Sequence, residues 1–129
     1  MVEMHGWITI KETFLANDDD NNTAIISDIN NELMKFRYHN SIVKWMNGEG
    51  YLQYSLYTNY WSDDCQELID IYNYISRKAI GSYGLLYVMN DEAKIENNSF
   101  VIYKLARGRI ERVVDNLLSP FIPTVEDSN

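Results

Sequence analysis

The chain has 129 residues, of which 46% are hydrophobic and 23% are charged, a composition typical of a globular domain and not of a disordered segment. Its 11 basic and 19 acidic residues give a formal net charge of −8, which disfavours binding to a phosphate backbone or an anionic membrane. No apolar run approaches the roughly 20 residues that span a bilayer, no signal peptide is visible, and the single cysteine cannot form an internal disulfide, so we expect a cytoplasmic protein.

The first part of the chain predicts a strand followed by a helix. In Gly6–Phe14, bulky residues alternate with threonine and lysine, a pattern typical of a strand with one more polar face. From Thr23 to about Tyr38, apolar residues recur at helical spacing and form one stripe. The Asp-rich and Asn-rich segment Asn17–Asn22 precedes this helix, so its negative charge matches the positive end of the helix dipole.

A hairpin and a second helix are predicted next. Two strands flank Asn47-Gly48, because this dipeptide readily adopts the two positive φ angles of a type I′ turn. These strands are Ile42–Met46 and Tyr51–Thr58. The second helix is predicted to begin at Asp63, acting as N-cap in a capping box with Gln66, and to end before Gly81 as the C′ residue.

The last part of the chain predicts three strands and a tail. The most continuous apolar run, Gly81–Met89, is typical of a strand covered on both faces and hence of an interior strand. Phe100–Ala106 and Arg109–Val114 are predicted strands joined by a turn at Arg107-Gly108. Two prolines interrupt Leu117–Val125, which predicts an extended tail packed on the surface of the sheet.

The resulting order β-α-β-β-α-β-β-β predicts an α+β fold with a ferredoxin-like core. If each of two right-handed crossovers skips one strand, the strands lie in the order 2-3-1-4-5-6 in a mostly antiparallel sheet. Both helices would then cover one face, and Trp7 and several tyrosines would lie on the other. No domain boundary or repeat is visible, so we expect residues 1–129 to form one domain.

The residues offer little for catalysis or metal binding. The only thiol is Cys65, the only histidines are His5 and His39, and their spacing matches no zinc site. Two alternatives stay open: a small enzyme using Cys65 with a histidine, and a ferredoxin-like module that binds nucleic acid through its aromatic strand. That strand lacks the leading basic-glycine pair of RNA-recognition modules and has Leu85 where an aromatic would stack. We expect no catalytic residue, no metal and no cofactor.

Four short motifs follow one another along the chain: His5-Gly6-Trp7, Gly81–Tyr87, Leu105–Gly108 and Ser119–Asp127. Their most characteristic residues are Gly6, Trp7, Gly81, Tyr83, Gly84, Arg107, Gly108, Pro120 and Pro123. Taken in register, the motifs resemble the immunity protein 7 family of bacterial polymorphic-toxin systems over essentially the whole chain. The Asn-rich segment Asn17–Asn22 departs from a denser Glu/Lys run in that family, so a toxin contact there would be specific to this chain.

The resemblance implies a cytoplasmic protein, not an enzyme, that binds and neutralises a toxin domain made by the same cell or its siblings. A toxin acting on nucleic acid is typically basic at its active site, so an acidic inhibitor gains association rate and orientation. The resemblance carries over no binding residues. On charge and aromatic character we expect partner contacts from Asp18, Asp19, Asp20, Asp63, Asp64, Glu67, Asp70, Tyr51 and Tyr57. We expect a monomer or weak dimer, with neither nucleic acid nor membrane as a partner.

Overall fold

The computed structural model describes residues 1–13, 22–35, 44–46 and 49–123. Within these ranges, six strands and two helices follow in the predicted order β-α-β-β-α-β-β-β. They are β1 (Val2–Ile10), α1 (Asn22–Leu33), β2 (Lys44–Met46), β3 (Glu49–Thr58), α2 (Asp63–Lys78), β4 (Tyr83–Asn90), β5 (Val101–Ala106) and β6 (Arg109–Val114). The predicted Asn47-Gly48 turn lies outside the described residues, as do the ends of several other predicted segments.

The strands form one sheet in the order β2-β3-β1-β4-β5-β6, and every pairing of neighbouring strands is antiparallel. This arrangement confirms the α+β fold, the ferredoxin-like core and the predicted strand order. It also confirms β4 as an interior strand, between β1 and β5. The other central strand is β1, which pairs with β3 from Val2 to Ile10 and with β4 from Val2 to Thr9.

The predicted bounds of the first strand, Gly6–Phe14, are wrong at both ends. The strand begins at Val2, because Val2 and Met4 are completely buried and continue the inward alternation of Ile8 and Ile10 toward the N-terminus. It ends at Ile10, where the chain turns to contact the segment before β4. The backbone N–H of Gly81 donates to the carbonyl oxygen of Lys11 at 3.1 Å.

Both helices pack on one face of the sheet, as predicted. Ile26, Ile29 and Leu33 of α1 and the buried stripe of α2 join the even-numbered side chains of β1, β3 and β4 in one hydrophobic core. The predicted end of the first helix, Tyr38, is wrong: α1 ends at Leu33, and the N–H of Lys35 donates to the carbonyl oxygen of Glu32 three residues back.

The predicted capping of the second helix is also wrong. Ser62, not Asp63, is the N-cap; its backbone is extended and its side chain makes no capping hydrogen bond. Gln66 Nε2 donates instead to Asp70 Oδ1 at 3.1 Å, one turn further along α2. At the other end Ala79 is the C-cap, so Gly81 is not the C′ residue. Position 81 has no room for a side chain, because a Cβ there would overlap the backbone of Thr13.

The described part of the tail is fixed against the loop before β5 by a chain of hydrogen bonds. Asp115 is 3% exposed and accepts bonds from the N–H groups of Leu117 and Leu118 and from Ser119 Oγ. Desolvation opposes the charged form of Asp115, but these hydrogen bonds outweigh it and hold the pKa of this carboxyl below its ordinary value. Ser119 Oγ in turn accepts from the N–H of Phe100 at 2.8 Å.

Asn98 completes this attachment. Its Nδ2 donates to the carbonyl oxygen of Ile122, and its Oδ1 accepts from the N–H of the same residue. The N–H of Phe121 donates to the Asn98 carbonyl oxygen, and the Phe121 ring packs edge-on against Phe100 at 6.0 Å. The tail therefore packs against the residues immediately before β5, and its predicted last residues, 124–125, lie outside the described residues.

Candidate binding surface

The face of the sheet that the helices leave uncovered carries exposed aromatic side chains. Odd-numbered residues of β1, β3 and β4 point to this open face, because their even-numbered neighbours form the core. Trp7, Tyr57 and Tyr83 are exposed by 42%, 61% and 44%. Trp7 packs edge-on against Tyr83 at 6.0 Å, and His5 against Tyr57 at 5.4 Å. The aromatic rings are thus held in pairs on three rigid, neighbouring strands.

His5 is the centre of a small polar network on this face. Its Nε2 lies 2.6 Å from Glu3 Oε2 and 3.2 Å from the Tyr57 hydroxyl, and its Nδ1 lies 3.5 Å from Ser55 Oγ. The order Ser55-His5-Glu3 resembles that of a hydrolytic triad, but the serine is at the limit of hydrogen-bond distance. The network therefore orients the Tyr57 ring.

A second group of exposed aromatic residues lies where β3 passes into α2. Tyr60 and Trp61 are exposed by 65% and 39% in the connection between the two elements. Thr58 Oγ1 donates to the carbonyl oxygen of Tyr60 at 2.7 Å and fixes this connection. A depression of about 460 Å³ opens here, lined by Met1, Tyr57, Thr58, Asn59, Tyr60, Ser62 and Asp64. Tyr57 thus joins this depression to the open face.

Carboxylates lie beside these rings in the first turn of α2. Asp63 is exposed, and Asp64 is half-buried, with its Oδ1 buried and without a hydrogen-bond partner. The N-terminal end of the helix dipole favours both negative charges. We call Tyr57, Tyr60, Trp61, Asp63 and Asp64 together the aromatic–acidic corner. The corner combines large apolar rings with negative charge, which is the chemistry that recognises lysine and arginine side chains.

The structure brings some of the predicted contact residues together and separates others. Asp63, Asp64 and Tyr57 lie in the corner, and Glu67 and Asp70 follow in the next two turns of α2, Glu67 half-buried and Asp70 exposed. Tyr51 is not part of this group. It shares a face of β3 with Tyr57 but lies about 20 Å further along the strand, opposite Thr9. The three aspartates Asp18, Asp19 and Asp20 lie outside the described residues.

Tyr60 and Trp61 are the corner residues that the sequence analysis missed. Strand and helix periodicity both stop between Thr58 and Asp63, so these residues belonged to no predicted element. The available signal was local: two aromatic residues in a polar connection immediately before an acidic first turn.

Several residues of the four motifs hold the scaffold together. A Cβ at Gly6 would overlap the hydroxyl of Tyr72, which reaches the sheet from α2 and donates to the Leu85 carbonyl oxygen at 3.0 Å. Burial raises the pKa of Tyr72 above its ordinary value, an effect that a hydrogen bond to Trp7 only partly opposes. A Cβ at Gly84 would overlap the carbonyl oxygen of Trp7 on the neighbouring strand. Tyr83 contacts Trp7 across the same two strands.

The remaining motif residues shape turns and the tail. Arg107 and Gly108 have φ angles of 53° and 72°, as a two-residue turn between β5 and β6 requires. Pro120 and Pro123 flank the two tail residues that bind Asn98.

The described geometry supports neither of the two alternative functions, the small enzyme that pairs Cys65 with His5 and the nucleic-acid-binding module. Cys65 is completely buried on the helix side of the sheet, with its Sγ 3.5 Å from Thr58 Oγ1, whereas His5 lies on the opposite face. A Cys65–His5 pair is therefore wrong, and His39 lies outside the described residues. On the open side, Lys11 and Lys104 lie within 3.6 Å of carboxylates, which offset the positive charge that these two lysines would present to a nucleic acid.

Two absences hold for the part of the chain that the structure describes. No three or more metal-ligating side chains lie together there, and no helix is long and apolar enough to cross a membrane.

Comparison with known proteins identifies a family. The family model described as immunity protein 7 matches residues 1–127, nearly the whole length of the chain. Searches of curated proteins and of solved structures gave no significant match. The family match agrees with the resemblance carried by the four motifs.

Proposed function

The chain belongs to the immunity protein 7 family, and from this premise we propose that it binds and neutralises one cognate toxin domain of a bacterial polymorphic-toxin system through the aromatic–acidic corner. We choose this surface because of the connection between β3 and α2, where exposed Tyr57, Tyr60 and Trp61 adjoin Asp63 and Asp64. Inhibition by binding requires no catalytic residue, metal or cofactor of its own. The cytoplasm is the expected place of action.

Charge supports a basic toxin surface as the partner. The whole chain carries a net charge of −8, and α2 has four carboxylates before its first basic residue, Arg77. Such a field accelerates encounter with a positively charged partner and orients it before contact. A toxin that acts on nucleic acid concentrates positive charge around its active site, so an acidic surface of this kind fits over that site and excludes the substrate.

Aromatic residues supply the contact area that charge alone lacks. Tyrosine and tryptophan dominate the residues whose truncation weakens protein interfaces most. Tyr60 and Trp61 lie on a connection whose backbone is held by the Thr58 hydrogen bond, so little backbone freedom is lost on binding. An arginine of the toxin can stack on these rings while its guanidinium pairs with Asp63, an arrangement worth about 1–3 kcal/mol.

The first experiment is growth rescue. The toxin domain encoded beside this gene is expressed in a sensitive bacterium with and without the chain, and the complex is isolated by affinity chromatography. We expect the wild-type chain to restore growth and to co-purify with the toxin. The proposal is wrong if the toxin remains lethal at high levels of the soluble chain and no complex forms.

The second experiment assigns the surface. Tyr60→Ala combined with Trp61→Ala removes the exposed rings without touching the core, and we expect loss of rescue while the fold is kept. Met34→Ala is a suitable control, because Met34 is 70% exposed and lies after α1, outside the group of residues that forms the corner. Rescue by both variants to the wild-type level would assign binding to another surface and leave neutralisation itself intact.

A further inference from the structure

A depression on the open face of the sheet lies between side chains of β1, β3 and β4. It measures about 330 Å³, and its lining residues are His5, Gly6, Trp7, Gln53, Tyr54, Ser55 and Tyr87. We call this depression the open-face slot. Because β1 and β4 are each paired with a strand on both sides, the walls that they supply are rigid.

Two rows of open-face side chains, separated by one pair of backbone residues, form the slot. Along the strands the paired residues are His5 with Ser55, Gly6 with Tyr54, and Trp7 with Gln53. Gly6 has no side chain and the side chain of Tyr54 is buried in the core, so the middle pair supplies the floor. Tyr87 of β4 lies opposite His5 on the other side of β1 and lengthens the first row.

The distance between the two rows selects a flat group. Successive residues of an antiparallel strand rise by about 3.4 Å, so rows that are two residues apart stand about 6.8 Å from each other. This distance is close to twice the contact distance of about 3.5 Å between non-bonded carbon atoms. A planar group can therefore lie between the row of His5 and the row of Trp7 in contact with both, whereas a tetrahedral group is too thick to enter.

The groups around the slot accept hydrogen bonds and favour a cation. Gln53 and Ser55 are exposed and offer an amide oxygen and a hydroxyl oxygen. Glu3 Oε2 lies 2.6 Å from His5 Nε2, so this carboxylate balances any positive charge on His5. The lining residues that the structure describes include neither lysine nor arginine. The indole ring of Trp7 adds to the preference for a cation, because the face of an aromatic ring attracts positive charge.

We propose that the open-face slot binds the guanidinium group of an arginine side chain from a protein partner. Guanidinium is planar, permanently charged and rich in hydrogen-bond donors, and it stacks on aromatic rings, whereas the lysine ammonium has the charge without the flat shape. Tyr57 belongs to the aromatic–acidic corner and also contacts His5, so one basic partner can reach the corner and the slot together. That this partner is the toxin rests on the proposed function, but the slot itself does not.

Nuclear magnetic resonance titration of the isolated chain tests the slot without any toxin. Three probes are compared: N-acetyl-arginine amide, its planar but uncharged analogue N-acetyl-citrulline amide, and N-acetyl-lysine amide. We expect the arginine probe to shift the backbone amide signals of residues 5–7 and 53–55, with a dissociation constant on the order of 1–10 mM. The other two probes should bind at least about fivefold more weakly, because one lacks the charge and the other lacks the flat group.

The two glutamines of the chain provide a matched pair of variants. Gln53→Lys places a positive charge at the rim of the slot and should weaken binding of the arginine probe by about tenfold or more. Gln66→Lys makes the same change in α2, which packs on the other face of the sheet, and should alter binding by less than about twofold. Both glutamines are exposed, so both variants should fold.

Several results would overturn the inference. One is an arginine probe that shifts no signal of the slot at its highest soluble concentration, as would happen if another part of the chain already filled the slot. Shifts confined to the first turn of α2, equal binding of the three probes, or equal binding to Gln53→Lys and the wild type would also overturn it. None of these results bears on growth rescue, so this inference and the proposed function can fail separately.

Discussion

The contact between Gly6 and Tyr72 allows a quantitative test of how the central strand is packed. Gly6 lies in β1, and the Tyr72 hydroxyl occupies the space that a side chain at position 6 would need. In a Gly6→Ala variant the new Cβ would overlap that hydroxyl and would lie only 3.0 Å from Leu86 Cδ1 and 3.1 Å from Tyr72 Cζ. Tyr72 is 1% exposed and tied to the Leu85 carbonyl oxygen, so it cannot move aside. We expect Gly6→Ala to lower the free energy of unfolding by about 3 kcal/mol.

The Tyr72→Phe background separates the overlap from every other effect of the substitution. Tyr72→Phe alone removes one buried hydrogen bond and should cost about 1 kcal/mol. With the hydroxyl gone, the nearest atoms to the new Cβ are carbons at 3.0–3.1 Å, a contact that a small shift relieves. Gly6→Ala should then cost only about 1 kcal/mol, which gives a coupling of about 2 kcal/mol between the two positions.

Urea unfolding followed by circular dichroism measures all four free energies of this cycle. Gly81→Ala is the control, because its Cβ would overlap the backbone of Thr13 and not Tyr72; its effect should be equal in both backgrounds. Additive effects of Gly6→Ala and Tyr72→Phe, within about 0.5 kcal/mol, would refute the packing described for this contact.

Three further predictions concern the tail and the last hairpin. Asp115→Asn should lower the free energy of unfolding by about 1 kcal/mol at pH 7. Because the pKa of Asp115 is lowered in the folded state, its stabilising effect is complete above the unfolded value of about 3.9 and is lost as pH falls below it. The unfolding curves of variant and wild type should therefore converge in acid and not at neutral pH. Asn98→Ala should release the tail, so the amide of Ile122 should lose its protection from hydrogen exchange while the amides of β1 keep theirs. Asn97→Ala, at an exposed position, should change the protection of neither. Retained protection at Ile122 in Asn98→Ala would contradict the role of Asn98 in holding the tail. Gly108→Ala should cost about 1–2 kcal/mol in thermal or urea unfolding, since only the φ of 72° opposes a side chain there, and a neutral result would argue against the turn geometry.

The sequence predicted the fold well because its strongest signals are local and agree with one another. The stripe of α2, the apolar run of β4 and the turn at Arg107-Gly108 each predicted an element that the structure contains. The ends of a strand were harder to predict where its pairing with strands from other parts of the chain determines them. Val2 and Met4 belong to β1 because β3 and β4 pair with it on both sides, and the local alternation alone did not extend that far.

The candidate site was only partly predictable, for a geometrical reason. Residue type singled out Tyr51 and Tyr57 equally, but only the position of the β3–α2 connection decides which of them lies beside Asp63 and Asp64. Capping chemistry likewise suggested Asp63 as N-cap, whereas the extended backbone of Ser62 starts α2 one residue earlier and leaves Asp63 exposed in the first turn. Contacts between elements, and not propensities within them, assemble the corner.

The most direct test of the central claim is the dissociation constant of the complex with the neighbouring toxin domain, measured by isothermal titration calorimetry. We compare Trp61→Ala and Asp63→Asn with Glu92→Gln, which removes the same charge as Asp63→Asn at an exposed position after β4. The account predicts that each corner substitution weakens binding by about tenfold to a hundredfold, whereas Glu92→Gln changes it less than about threefold. Equal affinities for the wild type and both corner variants would contradict it.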